Sequence, residues 1–190
     1  FSRTLEEHLD RLEMVLKRLV DTGLKLKPSK CRLLQRRIVF LGHVVTEDGV
    51  STDPAKTEQI KKWPRPSSFR EVRGFLGLCG YYRKFIDRYA ELAAPLTSML
   101  KKGHKFCWTD EGEVAFEKLK AVLTSPPILA MPKDEGLFIL DTDASDLSIG
   151  AVLSQVQDGQ ERVIAYAAKV LQPAQRNYCV TRRELLSVIV

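Results

Sequence analysis

The stretch GLFILDTDASDLSIG, residues 136–150, decides how the second half of the chain folds. An apolar run ends at Asp141 and Asp143, and a second apolar run begins just after Asp146. Because successive strand residues point to opposite faces, Asp141 and Asp143 are predicted to share one face at the end of a strand. Carboxylates at this position cost free energy of folding unless they are exposed, hydrogen-bonded or bound to a cation. The residues alone leave open a turn rich in Asp and Ser or a cation site.

The pattern after this stretch predicts a β-β-β-α order. The three strands are predicted at residues 137–142, 148–156 and 162–170. Asp158 and Gly159 form a type I′ hairpin turn, and Thr181 with Glu184 forms a capping box before an apolar helical run. This order is expected to bring the first turn of the helix beside Asp143. Capping the helix is the alternative role of Glu184.

The first fifty residues combine one amphipathic helix with short extended segments. Thr4 and Glu7 form a capping box, and Gly23 ends the helix. Its leucine stripe, predicted to pack in a core, consists of Leu5, Leu9, Leu12, Leu16 and Leu19. A short strand is predicted at residues 24–27, and a strand or bent hairpin at residues 38–45 that Gly42 and His43 interrupt. For His43 alone, a structural role is the more common one.

Residues 53–105 predict a small bundle of three short helices. Asp53 before Pro54 marks one helix start, and Ser68 with Glu71 forms another capping box. A third apolar stripe, from Leu92 onward, is predicted to end at Gly103. The Arg and Lys faces of this bundle are suited to binding phosphates, but such faces are also typical of a solvated surface. Tyr81 and Tyr82 could belong either to a binding face or to the core. A further helix opens after Trp108 and is closed by two prolines, Pro126 and Pro127.

Charge is distributed unevenly between the two halves of this 190-residue chain. Residues 1–108 hold 22 Lys and Arg against 12 Asp and Glu, a net +10, whereas residues 109–190 hold 8 against 12, a net −4. The asymmetry favours a polyanion-binding part followed by a cation-gathering part, although a basic solvated surface is the alternative. The four cysteines are far apart and lack CxxC pairing, which argues against a zinc knuckle and fits a reducing compartment. No apolar run approaches the length that a bilayer requires, so no membrane partner is expected.

Several motifs together resemble one family, the reverse transcriptase–ribonuclease H polyproteins of gypsy-type LTR retrotransposons. TDAS at residues 142–145, IGAVLSQ at 149–155 and TRRELLSVIV at 181–190 resemble the first strands and first helix of its ribonuclease H domain. FLGH at residues 40–43 resembles the primer-grip hairpin of the palm. Three further motifs resemble segments of the thumb and connection: FLGL at 75–78, YYRKFI at 81–86 and FCWT at 106–109.

The resemblance implies a function in reverse transcription, with degradation of the RNA strand of RNA–DNA hybrids. By motif, Asp143 and Glu184 would be catalytic Mg²⁺ ligands of a two-ion site, whereas Asp141 and Asp146 do not correspond to ligands. The family's nucleic-acid-binding positions correspond to a further set of residues: Leu41, Gly42, His43, Arg73, Arg83 and Lys84. Expected partners are the RNA–DNA hybrid, the template-primer duplex and the rest of the polyprotein, comprising upstream palm, downstream RNase H and integrase. The expected location is intracellular, in cytoplasmic virus-like particles, and the resemblance leaves nuclear import open.

The expected fold class is α+β, with a palm remnant and helical thumb followed by an incomplete ribonuclease-H-like mixed α/β domain. The predicted domains are palm at residues 1–52, thumb at 53–108, connection and linker at 109–135, and ribonuclease H at 136–190. The chain lacks the Tyr-X-Asp-Asp motif of the polymerase site and the third ribonuclease H aspartate, so we expect a fragment, cut at both ends and inactive alone. The alternative is a degenerate or domesticated remnant that binds nucleic acid or protein without catalysis. An actin-type ATPase would need Gly-rich phosphate-binding hairpins, which Asp146-Leu147-Ser148 does not provide.

Overall fold

The computed structural model describes residues 2, 4–101 and 105–189, which form two compact units, Phe1–Arg36 and Arg37–Val190. The helices are α1 (Leu5–Asp21), α2 (Pro54–Lys61), α3 (Phe69–Tyr81), α4 (Tyr89–Met99), α5 (Asp110–Thr124), α6 (Pro173–Arg176) and α7 (Val180–Ile189). The strands are β1 (Ile38–Phe40), β2 (His43–Thr46), β3 (Gly49–Thr52), β4 (Phe138–Ala144), β5 (Ser148–Gln157) and β6 (Gln160–Val170). Two 3₁₀ turns lie at Pro28–Lys30 and Arg83–Phe85. The expected α+β class is therefore confirmed.

The first unit consists mainly of helix α1. Thr4 caps it by accepting a hydrogen bond from the Glu7 amide at 3.2 Å, as its capping box predicts. The prediction that the leucine stripe packs in a core is wrong for this chain, because no described residue of α1 is buried and Leu5 is 60% exposed. The strand predicted at residues 24–27 is also wrong, since that segment has no strand partner and leads into the turn Pro28–Lys30.

The hairpin predicted at residues 38–45 is confirmed as part of a three-stranded antiparallel meander, in the order β1-β2-β3. Leu41 and Gly42 turn the chain between β1 and β2 with φ angles of +47° and +72°. Gly fits such a left-handed turn without steric cost. The register places Phe40 opposite His43, so His43 is the first residue of β2 after the turn.

The helical bundle is built on the capping signals of the sequence. Asp53 accepts from the Ala55 amide at 3.0 Å and Ser68 accepts from the Glu71 amide at 3.3 Å, so both predicted helix starts are confirmed. Its core joins one face of each helix to the turn Arg83–Phe85, and includes Ile60, Val72, Phe75, Tyr82, Phe85, Leu96, Phe116 and Leu119. Helix α4 ends at Met99, and the stop predicted at Gly103 lies outside the described residues.

The second sheet is antiparallel in the order β4-β5-β6, as the three predicted strands require. Asp158 and Gly159 have φ angles of +53° and +77°, the geometry of the predicted type I′ turn. The capping box predicted at Thr181 is wrong, because α7 already begins at Val180 and Thr181 lies inside it. A short additional helix, α6, precedes α7 and was not predicted.

Segment 129–135 connects the two sheets. Leu129 exchanges two backbone hydrogen bonds with Val50 of β3, at 2.7 and 2.9 Å, and Ala130 donates to Val163 of β6 at 2.8 Å. The fully buried amide of Gln155 then donates to the Lys133 and Glu135 carbonyls, both at 3.0 Å. The predicted linker is thus held by backbone hydrogen bonds to both sheets and by buried side chains of β5. The predicted domain boundaries at 52, 108 and 135 stay predictions.

Candidate nuclease site and nucleic-acid interface

Strand β4 carries the predicted ligand Asp143 near its end. Asp143 lies opposite Gly150 of β5, and both Asp141 and Asp143 are exposed. The Asp143 carboxylate accepts from the Arg88 guanidinium at 2.8 Å, and each of these side chains is 57% exposed. Arg88 precedes α4 with φ +49°, in the left-handed region. The strand end thus presents a solvent-accessible carboxylate whose partner is a cation from the bundle.

Helix α7, which carries Glu184, packs against β4 and β5. Glu184 is half-buried in the second turn, and its carbonyl accepts from the Ser187 hydroxyl at 2.6 Å. Arg183, with a side chain only 12% exposed, forms an ion pair with Asp146 in the loop after β4. This pair fixes the start of α7 to the end of that strand. Neither Arg88 nor Arg183 was selected from sequence, since both act on partners far away along the chain.

The structure brings the strand of Asp143 beside the helix of Glu184, and sharing of an ion by the two carboxylates stays a prediction. Within residues 2, 4–101 and 105–189, no group of three or more His, Cys, Asp or Glu is arranged to hold a metal. Carboxylate oxygens are nevertheless the ligand type that Mg²⁺ prefers, and one exposed and one half-buried carboxylate leave room for bound water on the ion. The chemistry of the pair therefore fits Mg²⁺ as part of a coordination sphere.

The turn Leu41–Gly42 and His43 form a second candidate site, bound to the end of α3. The Tyr81 hydroxyl donates to the Leu41 carbonyl, and the Tyr82 hydroxyl donates to the Gly42 carbonyl at 2.9 Å. A Cβ on Gly42 would lie 2.9 Å from the Tyr82 hydroxyl, so only Gly fits this close approach. Tyr82 is thus a core residue, whereas Tyr81 remains half-exposed at 51%.

His43 lies in an aromatic cluster beneath this turn. The centroid of its ring lies 5.4 to 5.6 Å from the ring centroids of Tyr81, Tyr82 and Phe85. Its Nδ1 is 2.9 Å from the Leu41 carbonyl oxygen. Burial, and then the nearby Lys84 ammonium, lower the pKa of His43, while the Leu41 carbonyl raises it. This environment supports the structural role that the sequence left open for His43. The backbone that His43 supports, with Leu41 70% exposed, is the accessible part.

The predicted cations lie on exposed parts of the bundle. Arg73 is exposed on α3, opposite the buried face of Val72 and Phe75, and Arg83 is exposed in the following 3₁₀ turn. Lys84 lies half-buried, with its ammonium 5.2 Å from the centre of the Phe85 ring. Burial lowers the pKa of Lys84. Among the described helices, none is long and apolar enough to cross a bilayer.

Residues 108–190 match the RNase H-like domain found in reverse transcriptase. The chain is 44% identical to the retrovirus-related Pol polyprotein from transposon 297 of Drosophila melanogaster, covering 100% of this chain and 18% of the relative. It is 34% identical to the transposon Tf2-3 polyprotein of Schizosaccharomyces pombe, covering 99% and 14%. The chain thus spans about a fifth or less of these relatives.

Solved structures of a foamy viral protease-reverse transcriptase are similar over the whole chain. The dRH form in complex with double-stranded DNA matches with a TM-score of 0.84 and 25% identity, covering 99% of this chain and 33% of that one. The complex with an RNA/DNA hybrid matches with a TM-score of 0.83 and 25% identity, covering 100% and 26%. The similarity therefore extends across the first sheet, the helical bundle and the second sheet together.

Proposed function

We propose a function in reverse transcription for this chain, which belongs to the reverse transcriptase family of retrotransposon Pol polyproteins and carries an RNase H-like domain at residues 108–190. The family that the motifs predict is thus confirmed. Within it, the chain would bind template-primer duplex and contribute part of a ribonuclease H site for RNA–DNA hybrids. Its partners would be that duplex, the hybrid and the rest of the polyprotein, inside cytoplasmic virus-like particles.

One observation carries the nuclease proposal: α7 packs against β4, so the helix with Glu184 lies beside the strand with Asp143. These two carboxylates would hold Mg²⁺, with further ligands supplied from outside the described residues. Bound Mg²⁺ supplies activation of water and stabilisation of the leaving 3′ oxygen in such sites. The chain's own contribution is to present an exposed carboxylate at a rigid strand end and to fix α7 through the Arg183–Asp146 ion pair.

The nucleic-acid-binding part of the proposal rests on the surface between the β1–β2 turn and the bundle. Leu41 and Gly42 present backbone at an exposed turn that two tyrosine hydroxyls fix. Arg73 and Arg83 are exposed cations of the same unit, on α3 and in the 3₁₀ turn that follows it. Cations of this kind neutralise phosphates without reading sequence, so we expect affinity to fall steeply with added salt. Selectivity for hybrids would come from A-form shape and the 2′-hydroxyl.

The second candidate function is a non-catalytic remnant that binds nucleic acid or protein. It is favoured by the pairing of Asp143 with Arg88, which occupies one proposed ligand. Flanking coding sequence discriminates between the two candidates. An intact pair of polymerase aspartates upstream and an Asp-bearing strand downstream support the enzyme, whereas stop codons there support the remnant.

The test uses the longer polyprotein that contains this chain, assayed for cleavage and for binding of an RNA–DNA hybrid. Asp143→Asn and Glu184→Gln should each remove Mg²⁺-dependent cleavage while hybrid binding is retained. Glu161→Gln, which removes an exposed carboxylate of β6, serves as the matched control and should cleave normally. Mg²⁺-dependent cleavage that persists in either ligand variant would refute the assignment.

A further inference from the structure

A cleft of about 590 Å³, called here the basic cleft, opens between the 3₁₀ turn Arg83–Phe85 and strands β5 and β6. Three of its lining residues are cations: Arg83 and Lys84 from the turn and Lys169 from β6. No Asp or Glu is among the described residues that line it. The cleft is therefore positive on both walls, although β6 belongs to the acidic half of the chain.

The three cations lack carboxylate partners within the described parts of the chain. The ion pairs formed by described residues involve other side chains, and none of them includes Arg83, Lys84 or Lys169. Lys84 is half-buried, and burial lowers its pKa without an opposing carboxylate. A partly desolvated ammonium gains more from an anion than one in open water. The cleft thus has the electrostatics of an anion site that the protein itself does not neutralise.

The floor of the basic cleft allows close approach. It includes Gly150, Ala151, Ala167 and Ala168, whose side chains are a hydrogen atom or a single methyl group. Gly150 and Ala168 lie opposite each other in the register of β5 and β6. The larger strand side chains that line the cleft belong to Ile149, Tyr166 and Lys169, so the close approach of a ligand chain is confined to the small residues between them.

The basic cleft shares two lining residues with a cavity at the acidic strand end. Gly150 and Ala151 also line a smaller cavity of about 200 Å³ whose other lining residues include Asp143 and Arg88. Gly150 is moreover the register partner of Asp143. A chain that follows the cleft along β5 therefore arrives at the carboxylate proposed to act in cleavage.

We propose that the basic cleft binds the phosphodiester backbone of the nucleic-acid strand that is led to Asp143, with Lys169 as a phosphate contact from the sheet. This inference rests on the proposed function and adds to it a binding wall outside the bundle. Phosphodiester is favoured over an acidic peptide because the cleft leads into the proposed nuclease site. Each phosphate that a cation neutralises contributes about 0.9 to the slope of log affinity against log salt.

The test measures binding of a fluorescent RNA–DNA hybrid by anisotropy from 50 to 200 mM KCl. Lys169→Gln should reduce the magnitude of the slope of log affinity against log salt by about 0.9. The ratio of wild-type affinity to variant affinity should therefore fall roughly 3.5-fold between 50 and 200 mM KCl. Arg162→Gln is the matched control, because Arg162 is an exposed cation of the same strand outside the cleft. Ala167→Glu, which places a carboxylate at an exposed floor position, should weaken binding more than Ser98→Glu on α4. Circular dichroism establishes that the variants fold.

The outcomes separate the cleft from the proposed function. If wild type binds the hybrid with a steep salt slope but Lys169→Gln has the same affinity and slope as Arg162→Gln, the proposal for the basic cleft is refuted. The proposal that the chain binds the hybrid then stands. If wild type does not bind the hybrid, both proposals fail. Competition by polyglutamate as effective as that by unlabelled hybrid at equal charge would instead assign the cleft to acidic peptides and overturn the phosphodiester proposal.

Discussion

Removing the guanidinium of Arg88 should raise the affinity of the acidic strand end for divalent cations. In the structure this guanidinium donates to the Asp143 carboxylate at 2.8 Å, so it would compete with a cation for that carboxylate. The variant Arg88→Gln frees the carboxylate and removes one positive charge beside it. Gln and Arg are comparably disfavoured at the φ of +49° that this position adopts, so the backbone strain changes little.

The exposure of the ion pair limits the size of the effect. Both side chains are 57% exposed, and ion pairs of this kind are worth about 0.2 to 1 kcal/mol. Since about 1.4 kcal/mol corresponds to a factor of ten, Arg88→Gln should increase divalent affinity by about 1.4-fold to 5-fold. A larger gain would require a desolvated pair, which the structure does not have.

Mn²⁺ titration followed by paramagnetic broadening of backbone amide signals measures this affinity. Broadening should begin near Asp143 and Gly150, at lower Mn²⁺ concentration in Arg88→Gln than in wild type, and should be lost in Asp143→Asn. Arg65→Gln, which removes an exposed guanidinium paired with Glu113, is the matched control for net charge. Equal affinities for Arg88→Gln, Arg65→Gln and wild type would refute the claim that Arg88 competes with a cation.

Three further predictions concern the bundle and the turn above it. Tyr82→Phe removes the hydroxyl that donates to the Gly42 carbonyl and should lower the free energy of unfolding by about 1 kcal/mol in urea titrations; unchanged stability would contradict this. Burial raises the pKa of the Cys79 thiol to about 12, so Cys79 should resist Ellman's reagent at pH 8 until denaturant is added, and rapid reaction in native protein would contradict its burial. Burial and Lys84 lower the pKa of His43 from its usual 6.5. The His43 imidazole therefore binds a proton more readily in the unfolded chain than in the folded one. The free energy of unfolding should therefore decrease as pH falls from about 6.5 through that lowered pKa. Urea titrations at several pH values should show a smaller decrease in His43→Gln, and an identical pH dependence would exclude this contribution.

Local signals predicted most elements of the fold because their physical causes are local. The Thr4, Asp53 and Ser68 caps each join atoms two or three residues apart, and the Asp158-Gly159 turn requires only positive φ angles at adjacent residues. The same reasoning failed at Thr181. A capping pattern favours a helix start but does not fix it, because α7 begins at Val180 and Thr181 lies inside the helix.

Burial was harder to predict than element type. The leucine stripe of α1 has the spacing of a core-facing helix, yet none of its side chains is buried, because periodicity shows which face is apolar and not what covers it. Conversely, Gln155 would be expected at the surface, but its buried amide satisfies three backbone groups of the segment around Lys133. Such partners lie about twenty residues away and leave no periodic signal.

The three aspartates of the opening stretch show why the candidate site needed the structure. Asp141, Asp143 and Asp146 have similar local sequence surroundings, and only family resemblance singled out Asp143. In three dimensions their partners differ: Asp143 meets Arg88 from the bundle, whereas Asp146 holds Arg183 at the start of α7. Because Glu184 directly follows Arg183, loss of the Asp146 carboxylate would loosen the helix turn that positions Glu184. The proposed ligand pair therefore depends on an ion pair to which neither ligand contributes.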